Sequence, residues 1–429
     1  MINLMANLKR LSFIRILCLL LIFPQLSIAQ NEKIITIDSC YALARLNYPL
    51  IKQRALLEKT NDYTIDNASK GYLPQLNING QATYQSDVTK IPISSPNLSF
   101  KELSKDQYKI YGEINQSITD PFIIKQQKEF IRKGTESEEQ KIEVELYKLK
   151  DRINQLFFGI LMFDEQIKLA ELLKKDIKIG IAKTNAAIAS GTALKSNADV
   201  LLAESLKLEQ REIELKSGRK GFSDMLALFI NQSVDEVKFS IPENLSVTEV
   251  VNRPEIKLFE IKRKSLDVQN KLLNAKNFPR ISLFLQGGYG RPALNFLNNE
   301  FDTYYLGGVK LNWNVSGLYT LKRDKDLVTL NQESLDIEKE IFLFNINFSL
   351  KQQFSELNKF QQLIGTDNKI IELREKIQLA ANSQLENGII SANDFLIYIN
   401  AVDQARQNLI LHRVQLLMTQ YAYQNISGN

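Results

Sequence analysis

The chain has 429 residues, 44% of them hydrophobic and 24% charged, an ordinary balance for a folded protein with room for two or three domains. Its formal charge of +5 drops to +2 once the three basic residues near its start are set aside, which excludes a bulk nucleic-acid footprint. Only two cysteines are present, Cys18 and Cys40, and the first lies in the opening apolar run, so a disulfide framework is excluded.

Lys9, Arg10 and Arg15 precede or enter the run "ILCLLLIF", and "SIA" at 27–29 offers small residues at the two positions a signal peptidase reads. Residues 1–29 are expected to be a secretory signal peptide cut after Ala29. An apolar run of about a dozen residues falls short of the ~20 that a spanning helix needs. After residue 30 no run is long enough to cross a membrane as a helix, so any membrane entry falls to strands.

A first unit is expected over 30–230. It opens with helix-type sequence over roughly 36–70 and then alternates in "GYLPQLNINGQATY", where Leu76, Ile78, Gly80, Ala82 and Tyr84 share one face and Asn77, Asn79, Gln81 and Thr83 the other. Strands are expected at 75–86 and 107–119, joined by a polar, proline-bearing loop. A helical hairpin over 121–230 follows, turning at "ASGTALKSNAD". Ile142, Leu149, Leu156, Phe163, Ala170 and Ile177 recur every seven residues, with Leu146, Ile153, Ile160 and Ile167 as a second row. Those rows are the seam of a coiled coil, and the returning helix continues it with Leu194, Leu201, Leu208, Leu215 and Phe222.

Residues 231–252, rich in turn and β-branched residues, read as an irregular equatorial linker. The chain then repeats itself over 253–429. Pro49 and Pro254, Pro74 and Pro279, and Tyr84 and Tyr289 are each 205 positions apart. Strands are expected at 280–290 and 303–316, and "GEINQSITDPF" at 112–122 finds its counterpart in "VKLNWNVSGLY" at 309–319. A second hairpin, 318–424, carries Leu343, Leu350, Leu357, Ile364 and Ile371 and turns at "ENGIISANDF". A helix of ~70 residues would reach about 105 Å, and each returning helix would match it if extended end to end by a helix that precedes a strand.

Four strands of about ten residues suit a tilted bilayer crossing, with Tyr84, Tyr108, Tyr111, Tyr289, Phe301, Tyr304 and Tyr305 available for a girdle at the lipid boundary. Four strands close no barrel alone, because single-chain barrels begin at eight, so closure requires several copies. Periodicity alone leaves open a second architecture, an exported periplasmic coiled-coil scaffold whose hairpins bind a partner. No phosphate-binding loop, metal-ligand cluster or nucleophile with a base is found, so no catalytic residue, metal or cofactor is expected. The lone His412, on the last helix, reads as a surface or packing residue.

The duplicated helix-strand-strand-helix-helix order, the prolines in "YLPQL" and "NFPRI", the pair "INQSITDPF" and "LNWNVSGLY", and the glycine turns before "NADVLLAE" and "NDFLIYINA" together resemble the TolC-like outer-membrane efflux protein family. The resemblance covers essentially the whole exported chain. It implies an α+β membrane protein in which long antiparallel hairpins build a coiled-coil α-barrel across the periplasm and each chain lends four strands to an oligomeric transmembrane β-barrel. It implies further a homotrimer in the outer membrane, surrounded by its lipid. Such a trimer serves as exit duct for a tripartite efflux pump or a type I secretion system, with a periplasmic adaptor (membrane fusion) protein and an inner-membrane pump as partners.

On this resemblance the adaptor-contact tip falls on Gly191, Thr192, Ala193 and Leu194 in the first unit and on Gly388, Ile389, Ile390 and Ser391 in the second. Asp394 matches an acidic pore constriction, whereas the second acidic position, one turn on, reads Ile397. Asp199 follows Gly191 by eight residues, against six from Gly388 to Asp394, which suggests a first turn longer by two.

Overall fold

A computed structural model describes residues 34–89, 103–235, 237–243, 245 and 250–429. The expected leader and part of the first inter-strand loop lie outside the described residues. In chain order the elements are β1 (Ile34–Ile35), α1 (Ile37–Asn47), α2 (Ile51–Ser69), β2 (Gln75–Tyr84), β3 (Asp106–Ser117), α3 (Asp120–Tyr147), α4 (Leu149–Ala189) and α5 (Lys195–Ile230). They continue with β4 (Lys238–Phe239), α6 (Pro254–Lys276), β5 (Arg280–Arg291), β6 (Asp302–Asn312), α7 (Leu318–Glu386) and α8 (Ala392–Ser427).

Several boundaries differ from the sequence reading for local reasons. The helical run over 36–70 divides into α1 and α2 around Pro49, because the residue before a proline is driven to extended backbone. Tyr48 accordingly has ψ 129°. The first long helix pauses at Lys148, so α3 and α4 contribute 28 and 41 residues, whereas α7 runs for 69 without interruption. Strand β6 stops at Asn312 rather than 316, since Val315–Gly317 wind into a short 3-10 turn that leads into α7.

The molecule is four elements wide along its whole length. The sheet order is β2-β3-β5-β6, antiparallel throughout. Beneath it stand α2, α3, α6 and α7 side by side, and in the far half the order is α5, α4, α8, α7. The columns join end to end. Asn252 donates its N–H to the Ser427 carbonyl at 2.6 Å, placing the start of α6 on the end of α8. Gly428, at φ +91°, sits there against the backbone of Asn252 and Arg253, with no room for a Cβ. At the other joint the Asn47 amide donates to the Ile230 carbonyl at 3.0 Å, and Tyr48 stacks on Phe229, so α5 continues towards α2.

The heptad rows form the buried seams. Ile153, Ile160, Ile177 and Leu201 are fully buried, and α7 offers Leu350 and Leu357. Leu194 leaves its row: it is 72% exposed, because α5 begins one residue later. The thickest packing lies at the equator, where β1 and β4 form a two-residue parallel ladder beside Phe157, Phe158, Leu226, Ile230 and Val414. Cys40 is buried in the same cluster, and burial pushes its thiol up to about 12. His412 serves structure: its Nδ1 lies 2.6 Å from the buried Asp367 carboxylate and its ring beside Phe360.

Candidate functional sites at the two ends

The sheet has an inverted polarity. Register pairs Leu76 with Ile114 and Ile114 with Leu285, and the same parity carries Ile78, Ile110, Leu283, Ile281, Val309 and Leu311. All of them are exposed, Leu76 by 75% and Ile78 by 85%. The opposite face carries Gln75, Asn77, Asn79, Gln81, Glu113, Asn115, Ser117, Ser282, Gln286 and Lys310. On β3 and β5 the face that carries these polar residues, with Phe284 among them, is the more covered one, and the apolar face is open. The polar face lines a concavity of about 550 Å³ where the sheet meets the helices. Within that face the Gln286 amide donates to the Glu113 carboxylate at 2.6 Å.

The aromatic girdle is smaller than the sequence suggests. Tyr84, Tyr108, Tyr289 and Tyr305 lie on the apolar face, and Phe301 stacks on Tyr108 and Tyr289 with centroids 6.3 and 5.5 Å apart. Tyr111 and Tyr304 do not join them, because both pair with Gly288 and so share the polar face. Both outer strands, β2 and β6, have one unpaired edge among the described residues.

At the other end the two turns are built alike. Gly191 (φ +76°) and Gly388 (φ +66°) take the left-handed conformation that ends a helix, and the N–H groups of Thr192 and Ile389 each reach back to the carbonyls of Ala187 and Gln384 at 2.8 Å. Each following helix starts four residues after its glycine, at Lys195 and at Ala392. The two turns are therefore equal in length, and the extra residues inferred from Asp199 do not exist. Asp199 already lies inside α5, and the position equivalent to Asp394 is Asn197.

The turns differ in how their second helix is capped. Ser391 accepts the Asp394 N–H at 3.2 Å, while the Asp394 carboxylate accepts the Ser391 N–H at 3.1 Å and its hydroxyl at 2.7 Å. This is a capping box closed by an aspartate. Those hydrogen bonds, the hydroxyl's first, lower the Asp394 pKa from the ordinary aspartate value. Leu194 occupies the same place in the first turn and has no side chain able to cap.

Ala392, Phe395, Leu396 and Ile399 anchor this end by packing with Ile177, Leu201 and Ala381. Phe395 is 1% exposed and lies directly over Gly180. Lys183 to Glu386 at 2.8 Å and the Gln378 amide to Asp176 at 3.0 Å tie α4 to α7. Leu194 and Ile389 stand out bare, 72% and 70% exposed, and Ile397 is exposed one turn beyond Asp394. The sequence reading missed the cations of the sheet base, Arg280 and Lys310, although their strand parity with Ser282 and Asn312 assigns them to the polar face.

Among the described residues there is no group of three His, Cys, Asp or Glu side chains that could hold a metal ion, and no helix long and apolar enough to cross a membrane. No family model matches the chain, and no curated protein matches it. Solved structures do. CusC, in crystal structures concerned with conformational changes accompanying folding and transmembrane channel formation, is similar with a TM-score of 0.67 at 12% identity, covering 92% of each chain. The outer-membrane channel OprN gives 0.66 at 14%, over 91% of this chain and 89% of its own. The CmeC outer membrane channel of Campylobacter jejuni gives 0.63 at 12%, over 91% and 85%. The chain thus has the fold of these channels over about nine-tenths of its length.

Proposed function

We propose that the chain is the outer-membrane exit duct of an efflux or secretion assembly, a TolC-like channel that conducts solutes passively from a periplasmic pump complex to the exterior. The observation that carries this reading is the inverted sheet. A four-stranded sheet with apolar residues on its open side and amides on its concave side is ordered for lipid outside and water inside. In water such a face would be an aggregation hazard.

The oligomer follows from the edges. One flank of the molecule consists of β2, α2 and α5, and the other of β6 and α7. Seating one flank on the other flank of the next copy is a head-to-tail contact, which closes into a ring when the rotation allows. Three copies would supply twelve strands, enough for a closed barrel. Exposed Leu330, Ile337 and Phe344 at seven-residue spacing give α7 a second apolar row for such a neighbour, and exposed Leu206 and Ile213 give α5 one.

The turn residues 191–194 and 388–391 then lie at the periplasmic tip, with Leu194 and Ile389 as apolar contacts for an adaptor protein. Asp394, repeated around the axis, would form an acidic constriction, with its charge held ionised by the capping box. Purified protein in a planar bilayer is expected to conduct, and Asp394→Ala to alter conductance or cation preference. Protein that resists a high-salt wash of outer membranes supports the duct, whereas release by the wash, or insertion without conduction, contradicts it.

A further inference from the structure

The polar concavity under the sheet carries an unbalanced charge. It is lined by Lys276 at the end of α6, Arg280 at the start of β5 and Lys310 in β6, against a single carboxylate, Asp120. Arg280 reaches Asp120 only at 3.9 Å. Neither Lys276 nor Lys310 has a carboxylate partner among the described residues, and both are exposed. The nearest carboxylate farther up the same face, Glu113, already accepts the Gln286 amide at 2.6 Å.

Helix ends do not offset this excess. Two helices begin beside the sheet base, α3 and α7, and two end there, α2 and α6, so their opposed dipoles cancel in pairs. The side chains set the local field, and a ring of copies would repeat their net positive charge around one level of the bore. Walls of low dielectric focus that potential into the passage.

We propose that this concavity is an anion-attracting collar at the inner end of the barrel, with Lys276 and Lys310 as its determinants, and that it favours the passage of multivalent anions. The inference rests on the duct reading above and adds a cargo class to it. An amide-lined wall supplies hydrogen bonds without selecting a sign of charge, so the two lysines give the collar its preference. Attraction that is strong but shared among several equivalent cations lets an anion enter and leave.

The test is block of ion current in a planar bilayer by citrate added to the barrel side. Citrate is expected to reduce the current of the unmodified protein at about 0.1 M KCl and to lose that effect near about 1 M, where the Debye length falls to about 3 Å. The K276Q/K310Q protein is expected to need about fivefold more citrate for the same block. K109Q, a lumen-side lysine higher in the barrel, is expected to leave it nearly unchanged. Should the double variant fail to insert, the salt dependence on the unmodified protein and the single variants K276Q and K310Q carry the test. Current that is indifferent to citrate, or block unaltered by both lysine substitutions, overturns the collar and leaves the duct standing. A protein that inserts and never conducts overturns both.

Discussion

In the helical columns the heptad seams bury their apolar side chains; in the sheet, within the same chain, it is the apolar face that is exposed. Ile153 and Phe157 of α4 have no accessible surface, while Ile78 and Tyr305 are more than four-fifths open. Both regions obey one rule, that an apolar group leaves water when it can. The difference is what replaces the water: a neighbouring helix in the columns and, in the duct proposed above, lipid around the sheet. The helices satisfy their seams largely within one chain, whereas the sheet leaves its apolar face open and an edge of each outer strand unpaired among the described residues.

The largest expected effect comes from attacking the column side of this comparison. Phe157, fully buried, packs on Phe158 and Phe239 with ring centroids 5.9 and 5.3 Å away. Phe157→Ala should cost about 3–5 kcal/mol, read as a lowered thermal midpoint of the helical circular-dichroism signal. A shift no larger than that of an exposed control would mean the equator is not the anchor of the columns.

The sheet side is sharpened by a pair of substitutions on adjacent residues. Ile78→Arg places a cation on the lipid face at about 2–4 kcal/mol if it lies near the bilayer midplane, and should deplete the protein from the outer-membrane fraction. Asn77→Arg, on the concave face, should leave insertion intact. Equal tolerance of both would erase the distinction between the faces.

A smaller effect belongs to the tip, where the columns end. Ser391→Ala removes the cap of α8 and should cost about 1 kcal/mol in thermal unfolding. Asp394 acts with it, and the sign follows from its lowered pKa. Its contribution is complete above the ordinary aspartate pKa and is lost as pH falls through the lower folded value. The difference between native and Ser391→Ala melts should therefore shrink in acid; a difference that grows would assign the cap to something other than the carboxylate.

Much of this organisation is legible in the sequence because its signals are local and repeated. Prolines 205 positions apart announce the duplication, sevenfold rows announce the seams, and Gly191 and Gly388 announce the turns. What is not legible depends on contacts distant in sequence or on register. The equatorial ladder joins Ile34–Ile35 to Lys238–Phe239, two residues each, too short for any pattern. The pause at Lys148 has neither proline nor glycine to mark it. Tyr111 and Tyr304 look like girdle residues until the pairing with Gly288 turns them inward. The capping box at Ser391 is legible as Ser-x-x-Asp ahead of a helical run, a signal as local as the glycine before it.

The central claim is that one face of the sheet meets lipid and the other a water-filled bore. Cysteine at position 77 or 78, in a Cys18→Ser background, tests it in intact membranes with a water-soluble maleimide. Cys40 adds little signal, since it is fully buried and its thiol is pushed up to about 12. Labelling of Asn77→Cys with protection of Ile78→Cys is the predicted result, and labelling at 78 with protection at 77 would contradict the account.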